Sequence, residues 1–320
     1  MKSILTLIIL IIIFNACSDR EDYNDPNGPG ISGLFTELSG KVSGELSKSD
    51  SPYKITGDLI VDSGKTLIVN AGVELFFTID TKLIVHGELI IDGSYYDMIK
   101  LESYDSTKTW QGIQLINTDK RAFIDYTYIK GIRKEYDSLY IPSSISITNS
   151  GLTIKHSVIY KNSATHGGAV GIFNGELLMT NNLIRDNDAD FFGGAIISEA
   201  SDIRLINNTF YNNYSYNGVG GVLIYSPLTT ELQNNIFYKN TSRTGQPHYH
   251  YQSEDSTNYI EQYNYFAFDQ MDPIFFDEFY LNLYYTSPCK DAGNPDQSFN
   301  DFNGTRNDQG AYGGPEGNWY

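Results

Sequence analysis

The strongest constraint on the fold is a short phrase rich in asparagine that recurs four times. It reads HSVIYKN, NNLIRDN, NNTFYNN and NNIFYKN, and its last residue falls at 162, 187, 213 and 240, with spacings of 25, 26 and 27. A Gly-Gly pair follows at the same phase, at 167–168, 193–194 and 220–221. A repeat of this period is typical of solenoids, in which each turn of the chain stacks on the turn before it.

The positions of the apolar residues predict where each turn bends. Ile154 and Ile159 should both point inward, but they are five residues apart, which a strand with a side-chain period of two does not allow. One residue in the left-handed conformation between two strands would restore the alternation, and asparagine tolerates that conformation better than most residues. We therefore predict bends at four residue pairs: His156-Ser157, Asn181-Asn182, Asn207-Asn208 and Asn234-Asn235.

The last asparagine of each phrase is predicted to begin the next corner. Stacked turns lie about 4.8 Å apart, so these side-chain amides can bond to one another or to loop backbone. Each such bond contributes about 0.5–1.5 kcal/mol. The predicted structural ladder consists of Asn162, Asn187, Asn213 and Asn240.

These features predict an all-β chain, a single right-handed parallel β-helix with three short strands per turn and an aliphatic interior. The chain resembles the pectin-lyase-like β-helix superfamily over about residues 53–285, in GDLIVDSGKTLIVNAGVELFF, KLIVHGELIIDGS, TWQGIQLIN and the asparagine phrases. Its end, with TSPCKDAGNPD and DFNGTRNDQGAYGGPE, resembles the closing segment of choice-of-anchor Q domains. We expect residues 286–320 to form an irregular segment that caps the last turn.

The N-terminus is predicted to be a targeting segment. After Lys2, an apolar run of eleven residues at 4–14 is too short to span a bilayer, which takes about 20. FNACSD resembles the lipobox of bacterial lipoproteins, which implies a signal peptide over 1–16 and lipid on Cys17. An ordinary signal peptide that happens to contain a cysteine is the alternative.

Residues 17–52, rich in Asp, Asn, Gly, Pro and Ser, are then expected to form a flexible tether. The acidic SDRED after the cysteine resembles the surface-export signal of Bacteroidetes-type lipoproteins. We therefore expect an outer-membrane lipoprotein of a Gram-negative bacterium, exposed at the cell surface and bound to the membrane through its lipid.

The charge of the chain excludes one class of partner. Its 39 acidic and 22 basic residues give a net charge of −17, and nucleic-acid affinity depends on basic residues that neutralise phosphates. We expect a monomer that does not bind nucleic acid. Cys289 has no cysteine left to pair with, and the sequence assigns it no role.

The resemblance to β-helix enzymes raises the question of catalysis. A polysaccharide lyase needs a positioned base and a group that neutralises a uronate, and a hydrolase needs paired carboxylates. The strands GGAVGIF, GGAIIS and GGVLIY, which best match the catalytic sheet of those enzymes, carry no Asp, Glu, Lys, Arg or His. This counts against pectate lyase and polygalacturonase activity. The remaining catalytic candidates are His166, Arg185, Asp188 and Asp190.

Aromatic residues at one repeat position predict a ligand-binding face. Stacked tyrosines beside hydrogen-bonding groups suit sugar rings, although solvent-facing tyrosine also simply suits strands. The predicted ligand-binding residues are Tyr160, Arg185, Tyr211, Tyr214, Tyr216 and Tyr238. We expect a protein that binds carbohydrate or matrix without catalysis. The alternatives are a lyase or hydrolase of an acidic polysaccharide, and a structural or adhesion protein of the envelope.

No cofactor is expected. The polar residues near the C-terminus are predicted to fix that segment through hydrogen bonds, and no spacing among them matches a known calcium loop. A calcium site built from the same group is the alternative. The residues concerned are Asp291, Asp301, Asn303, Arg306 and Asp308.

Overall fold

The protein is a parallel β-helix. A computed structural model describes residues 34–136, 141–244, 248–252, 258–267 and 271–319. Every paired strand in it runs parallel to its neighbours, one turn earlier or later in the chain. The all-β class and the right-handed β-helix predicted from the repeat are therefore confirmed.

Each turn contributes one strand to each of three faces, which we call A, B and C. Face A contains Thr36–Lys41, Tyr53–Val61, Glu74–Phe77, Ile99–Ser103, Thr127–Lys130, Val158–Tyr160, Leu183–Arg185, Thr209–Tyr211, Ile236–Tyr238 and Tyr265–Ala267. Face B contains Gly44–Leu46, Thr66–Asn70, Glu88–Asp92, Ala122–Asp125, Gly151–Lys155, Glu176–Thr180, Asp202–Ile206, Thr229–Gln233 and Tyr259–Gln262.

Face C begins with the ends of Thr36–Lys41 and Tyr53–Val61, two strands that bend from face A into face C. It continues with Leu83–Val85, Ile113–Ile116, Ile145–Thr148, Val170–Phe173, Ile196–Glu199, Val222–Tyr225 and Tyr249–Gln252. A small fourth sheet, the corner sheet, lies between faces A and C. It contains Arg133–Lys134, Ser163–Ala164, Asp188–Ala189, Tyr214–Ser215 and Thr241–Ser242.

The interior is filled by columns of aliphatic side chains. On face B one column runs through six turns, and every member is 0% exposed. Burying each such side chain stabilises the fold by about 1.5–3 kcal/mol. The members of this column are Ile91, Ile124, Ile154, Met179, Leu205 and Leu232.

The bends between faces B and A are those that the sequence predicts. The first residue of each pair has a positive φ, which puts it in the left-handed region: His156 (42°), Asn181 (55°), Asn207 (52°) and Asn234 (57°). The side chains of Asn181, Asn207 and Asn234 bond to residues of the C-terminal segment, outside the helix. The ring of His156 bonds instead to the carboxylate of Asp125, in the preceding turn of face B.

Two ladders of buried asparagines run along the corners. In the first, the second residue of each Asn-Asn pair donates to its equivalent one turn later: Asn182 to Asn208 (2.9 Å), Asn208 to Asn235 (3.1 Å) and Asn235 to the half-buried Asn264 (2.9 Å). In the second, the last residue of each phrase does the same: Asn162 to Asn187 (3.1 Å), Asn187 to Asn213 (3.0 Å) and Asn213 to Asn240 (2.8 Å).

The glycine pairs allow successive turns to approach closely where the chain enters face C. A Cβ atom on Gly168 would collide with the carbonyl oxygen of Gly194, and one on Gly194 would collide with that of Gly220. Only glycine fits at these stacked positions.

The β-helix begins earlier than predicted. The strand Thr36–Lys41 already pairs with Tyr53–Val61, so the expected tether of residues 17–52 is too long by at least this strand. Half-buried and exposed side chains alternate within 35–41, so this segment can pair as the first strand of the sheet although the sequence around it is polar. Cys17 and the signal peptide lie outside the described residues.

The C-terminal segment, residues 271–319, lies along the outside of the helix, and we call it the strap. It contains no strand, and its one short 3-10 helix is Gln297–Phe299. Asn181 donates to the carbonyl oxygens of Ala311 (3.0 Å) and Gly313 (2.7 Å), and Asn207 to that of Asp308 (2.9 Å). The strap therefore runs back along the bends between faces A and B, and it reaches the last described turn where Gln309 donates to the carbonyl of Tyr263 (2.7 Å).

Helices play almost no part in the described residues. The second 3-10 helix there is Lys48–Asp50, and no helix among them has the length and apolarity needed to cross a membrane.

Candidate functional site

The predicted tyrosine platform on face A lies beneath the strap. Tyr160 is only 5% exposed, and the ring of Phe279 meets it edge-on at 5.7 Å. Phe275 lies 6.3 Å from the ring of Tyr211 and 6.1 Å from that of Tyr238. Tyr160 and Tyr211 pack with the strap in a second apolar core outside the helix. The prediction of an open sugar-binding face is therefore wrong for Tyr160, whereas Tyr211 and Tyr238 are half-buried.

Arg185 belongs to the same contact. Its guanidinium donates to the carbonyl oxygens of Glu278 (2.5 Å) and Phe279 (2.6 Å) and pairs with Asp186 at 2.7 Å. Its charge and donors are used to hold the strap. The structure therefore does not bring Arg185 together with the other three catalytic candidates.

The remaining predicted site residues lie on the corner sheet and in the loops after it. In register on its outer side are Arg133, Ser163, Asp188, Tyr214 and Thr241. The first loop positions continue the same stacking, because the N–H groups of Asp190, Tyr216 and Arg243 donate to carbonyl groups of the preceding turn. We call this surface the corner ridge; it consists of Arg133, His166, Asp188, Asp190, Phe191, Tyr214, Tyr216 and Arg243.

Aromatic side chains are exposed on the corner ridge. Phe191 is 47% exposed and Tyr216 45%. The guanidinium of Arg243 lies over the ring of Tyr216, 4.5 Å from its centroid, a cation–π contact. Backbone hydrogen bonds between turns hold these positions, so the ridge offers preformed apolar surface beside a positive charge.

Charged groups alternate with the rings. Arg133 pairs with Asp190 at 2.8 Å across two turns and also donates to the hydroxyl of Ser163. Asp188 is exposed. The predicted pair of aspartates thus lies on one surface, but Asp190 faces a cation and has its own partner.

His166 lies at the inner edge of the ridge, against two phenylalanines. Its ring stacks on that of Phe192 at 5.8 Å and 8° and lies 5.5 Å from that of Phe191. Burial lowers the pKa of His166 below its usual value, and the carboxylate of Asp190 opposes that shift in part. Its Nδ1 atom is buried and has no hydrogen-bond partner among the described residues. The neutral imidazole is therefore the favoured form at neutral pH.

The sequence analysis missed Arg133 and Arg243. In the other turns, the positions equivalent to Arg133 and Arg243 carry residues of other types. The repeat therefore does not predict an arginine at either position. Aligning the corner strands turn by turn would have placed Arg133 above Ser163 and Asp188.

The acidic group near the C-terminus is held by internal donors. Carboxylate oxygens of Asp291, Asp301 and Asp308 come within 4.8 Å of one another. Asp301 accepts the N–H groups of Asp308 (3.0 Å) and Gly314 (2.6 Å). Asp308 accepts the N–H of Asp291 (2.6 Å). This arrangement fits the predicted role of fixing the segment through hydrogen bonds.

Comparison with known proteins agrees with this architecture. The family model described as "Right handed beta helix region" matches residues 89–262. No curated protein and no solved structure gave a match. Since the matched region is more than half of the 320 residues and its turns stack as described above, the chain belongs to the right-handed beta helix family.

Proposed function

We propose that this protein is a lipid-anchored, surface-exposed β-helix that binds carbohydrate through the corner ridge without covalent chemistry. One observation carries the proposal: the rings of Phe191 and Tyr216 are nearly half exposed on backbone that is already hydrogen-bonded between turns. Sugar rings have an apolar face that packs on aromatic rings, and a rigid surface loses little conformational entropy on binding.

The repeat suits an extended ligand. Equivalent positions recur about every 4.8 Å along the helix axis, so a polysaccharide chain lying along the ridge meets Asp190, Tyr216 and Arg243 in succession. The cation of Arg243 beside the ring of Tyr216 favours glycans that carry carboxylate or sulfate groups.

A glycan array tests the binding proposal. The full-length chain in detergent should bind a subset of acidic glycans, and Tyr216→Ala and Arg243→Ala should each weaken binding by about three- to tenfold. Tyr96→Ala is the matched control, because Tyr96 is 90% exposed and lies away from the ridge. If no glycan binds at millimolar concentration, or if the control weakens binding equally, the proposal fails.

The support for the anchor is the sequence around Cys17, which resembles a lipobox. Radiolabelled palmitate should be incorporated into the wild-type chain and not into Cys17→Ala. Protease digestion of intact cells tests the exposure, since a surface-exposed chain is digested and a periplasmic one is protected.

A lyase acting on acidic polysaccharide is the second candidate. His166 favours it, because a neutral imidazole beside Asp190 has the protonation state needed to accept a proton from a sugar carbon. Arg133 and Arg243 would face the uronate carboxylate. Polymers of uronic acids should then yield unsaturated products, and His166→Ala should abolish them. If neither products nor glycan binding are found, a structural or adhesion role in the envelope is favoured.

A further inference from the structure

A small polar pocket lies within the strap, away from the corner ridge. It is formed by residues between 282 and 318 and has a volume of about 290 Å³. This is just below the range for small-molecule sites, about 300–1,000 Å³. The pocket therefore has room for one small ring rather than for a length of polymer.

The walls of the pocket are fixed before any ligand binds. Asp301 accepts two N–H groups from later in the strap, those of Asp308 and Gly314. The loop is also tied to the β-helix, because Asn207 donates to the side chain of Asn307 (3.1 Å) and the carbonyl of Asp308 (2.9 Å). A ligand would not have to order this segment, which favours weak but specific binding of a small molecule.

A donor and an acceptor stand side by side in the pocket. The ammonium group of Lys290 donates to Asp308 at 2.7 Å, which uses one of its three protons. Adjacent hydroxyl groups of a sugar each donate and accept, so they match an ammonium beside a carboxylate. Asn318 adds an exposed amide to the rim and has no hydrogen-bond partner among the described residues.

Aromatic rings supply the apolar part of the lining. Phe302 is 74% exposed at the rim. Tyr312 forms another part of the wall, and its ring is held in place because it stacks on Trp319 at 5.2 Å and donates its hydroxyl to the carbonyl of Tyr280. An exposed ring next to convergent polar groups is the combination that sugar-binding sites use.

We propose that this pocket binds a single neutral sugar ring, with Phe302 against its apolar face and the Lys290–Asp308 pair on two adjacent hydroxyl groups. Lys290, Asp301 and Asp308 together carry one net negative charge, which disfavours uronates and sulfated sugars. The site is separate from the corner ridge, and the proposal stands or falls independently of binding there.

Saturation-transfer NMR on the full chain with three probes tests the proposal: methyl β-D-glucopyranoside, methyl β-D-galactopyranoside and methyl α-D-mannopyranoside. At least one should bind with a dissociation constant of about 1–10 mM. Phe302→Ala should weaken that binding by about three- to tenfold. Phe276→Ala is the matched control, since Phe276 is in the same segment, is also 74% exposed and does not line the pocket.

Each outcome decides the matter. If all three probes fail to bind at about 50 mM, or if Phe302→Ala and Phe276→Ala behave alike, the pocket is not a sugar site. If Tyr216→Ala abolishes probe binding and Phe302→Ala does not, the sugar binds on the ridge instead. Lys290→Gln should reproduce the loss, and its unfolding curve shows whether the pocket has kept its structure.

Discussion

Arg185 donates to the backbone carbonyl oxygen of Phe279 at 2.6 Å, although 94 residues separate the two in the chain. This contact fastens the strap to face A and covers the tyrosine column beneath it. The strap is therefore part of the folded domain, and the outer surface of face A is a second apolar core over Val158–Tyr160, Leu183–Arg185 and Thr209–Tyr211.

Replacing Arg185 with alanine should destabilise the fold by about 2–3 kcal/mol. The side chain is 12% exposed, and its removal leaves two strap carbonyl groups without the guanidinium and takes one cation away from Asp186. Urea unfolding measures the loss, and limited proteolysis should show cleavage within 271–285 at lower protease concentration. Arg204→Ala is the control: its pair with Glu231 is 54% exposed on the arginine side, so we expect a loss below about 1 kcal/mol. Equal losses for the two variants would contradict the assigned role.

The buried ladder should be sensitive to single changes. Asn208→Ala should cost about 2–4 kcal/mol, because the amide donates to the carbonyl of Met179 and to Asn235 and accepts from Asn182, and all of these residues are buried. Denaturant unfolding at constant m-value tests this. Asn174→Gly is the control, since Asn174 forms an equivalent bond to Asn149 but is exposed, and glycine keeps its positive φ. A comparable loss there would show that burial is not the cause.

Cys289 should be unreactive in the folded protein. It is 0% exposed, and burial raises the pKa of its thiol to about 12, so almost no thiolate exists at neutral pH. Iodoacetamide at pH 8 should label it only after the chain is unfolded in guanidinium. Rapid labelling under native conditions would mean that the strap opens readily, since the cysteine lies within it.

Stability should fall as the pH drops below about 6.5, and His166 should account for part of the fall. Its pKa is lower in the folded chain than in the unfolded chain, so the unfolded chain takes up a proton first and is favoured as the pH falls through the ordinary histidine range. The free energy of unfolding, measured at pH 7.5, 6.5 and 5.5, should decrease less steeply for His166→Gln than for the wild type. Parallel curves would rule out this contribution.

The repeat was sufficient to predict the architecture, because two of its signals are local. The odd spacing of Ile154 and Ile159 requires an extra residue between strands, and the positive φ of His156 and Asn181 confirms where it lies. The recurrence of asparagine at one phase predicts a column in the same way, since each turn repeats the environment of the last.

The strap and its contacts could not be predicted by the same reasoning. Lys155 pairs with Glu316, 161 residues away, and neither residue carries a local sign of the other. Tyrosine on the outside of a strand has the same alternation whether water or chain covers it, so the pattern predicts open surface at Tyr160 and Tyr211 in either case. The corner ridge was recognised only in part, because Arg133 and Arg243 break the repeat.

In a β-helix made of similar turns, the stacking register is ambiguous. A shift of the chain by one whole turn would preserve almost every contact in the interior. The strap removes that ambiguity between residues 155 and 263, because it is fastened at Lys155, Asn181, Asn207 and Tyr263 at the same time. A gained or lost turn there would displace its attachment points by about 4.8 Å. Within the described part of the chain, the strap is not fastened to the turns built from residues 36–92. Insertions and deletions of a whole turn should therefore be tolerated only at the N-terminal end of the β-helix.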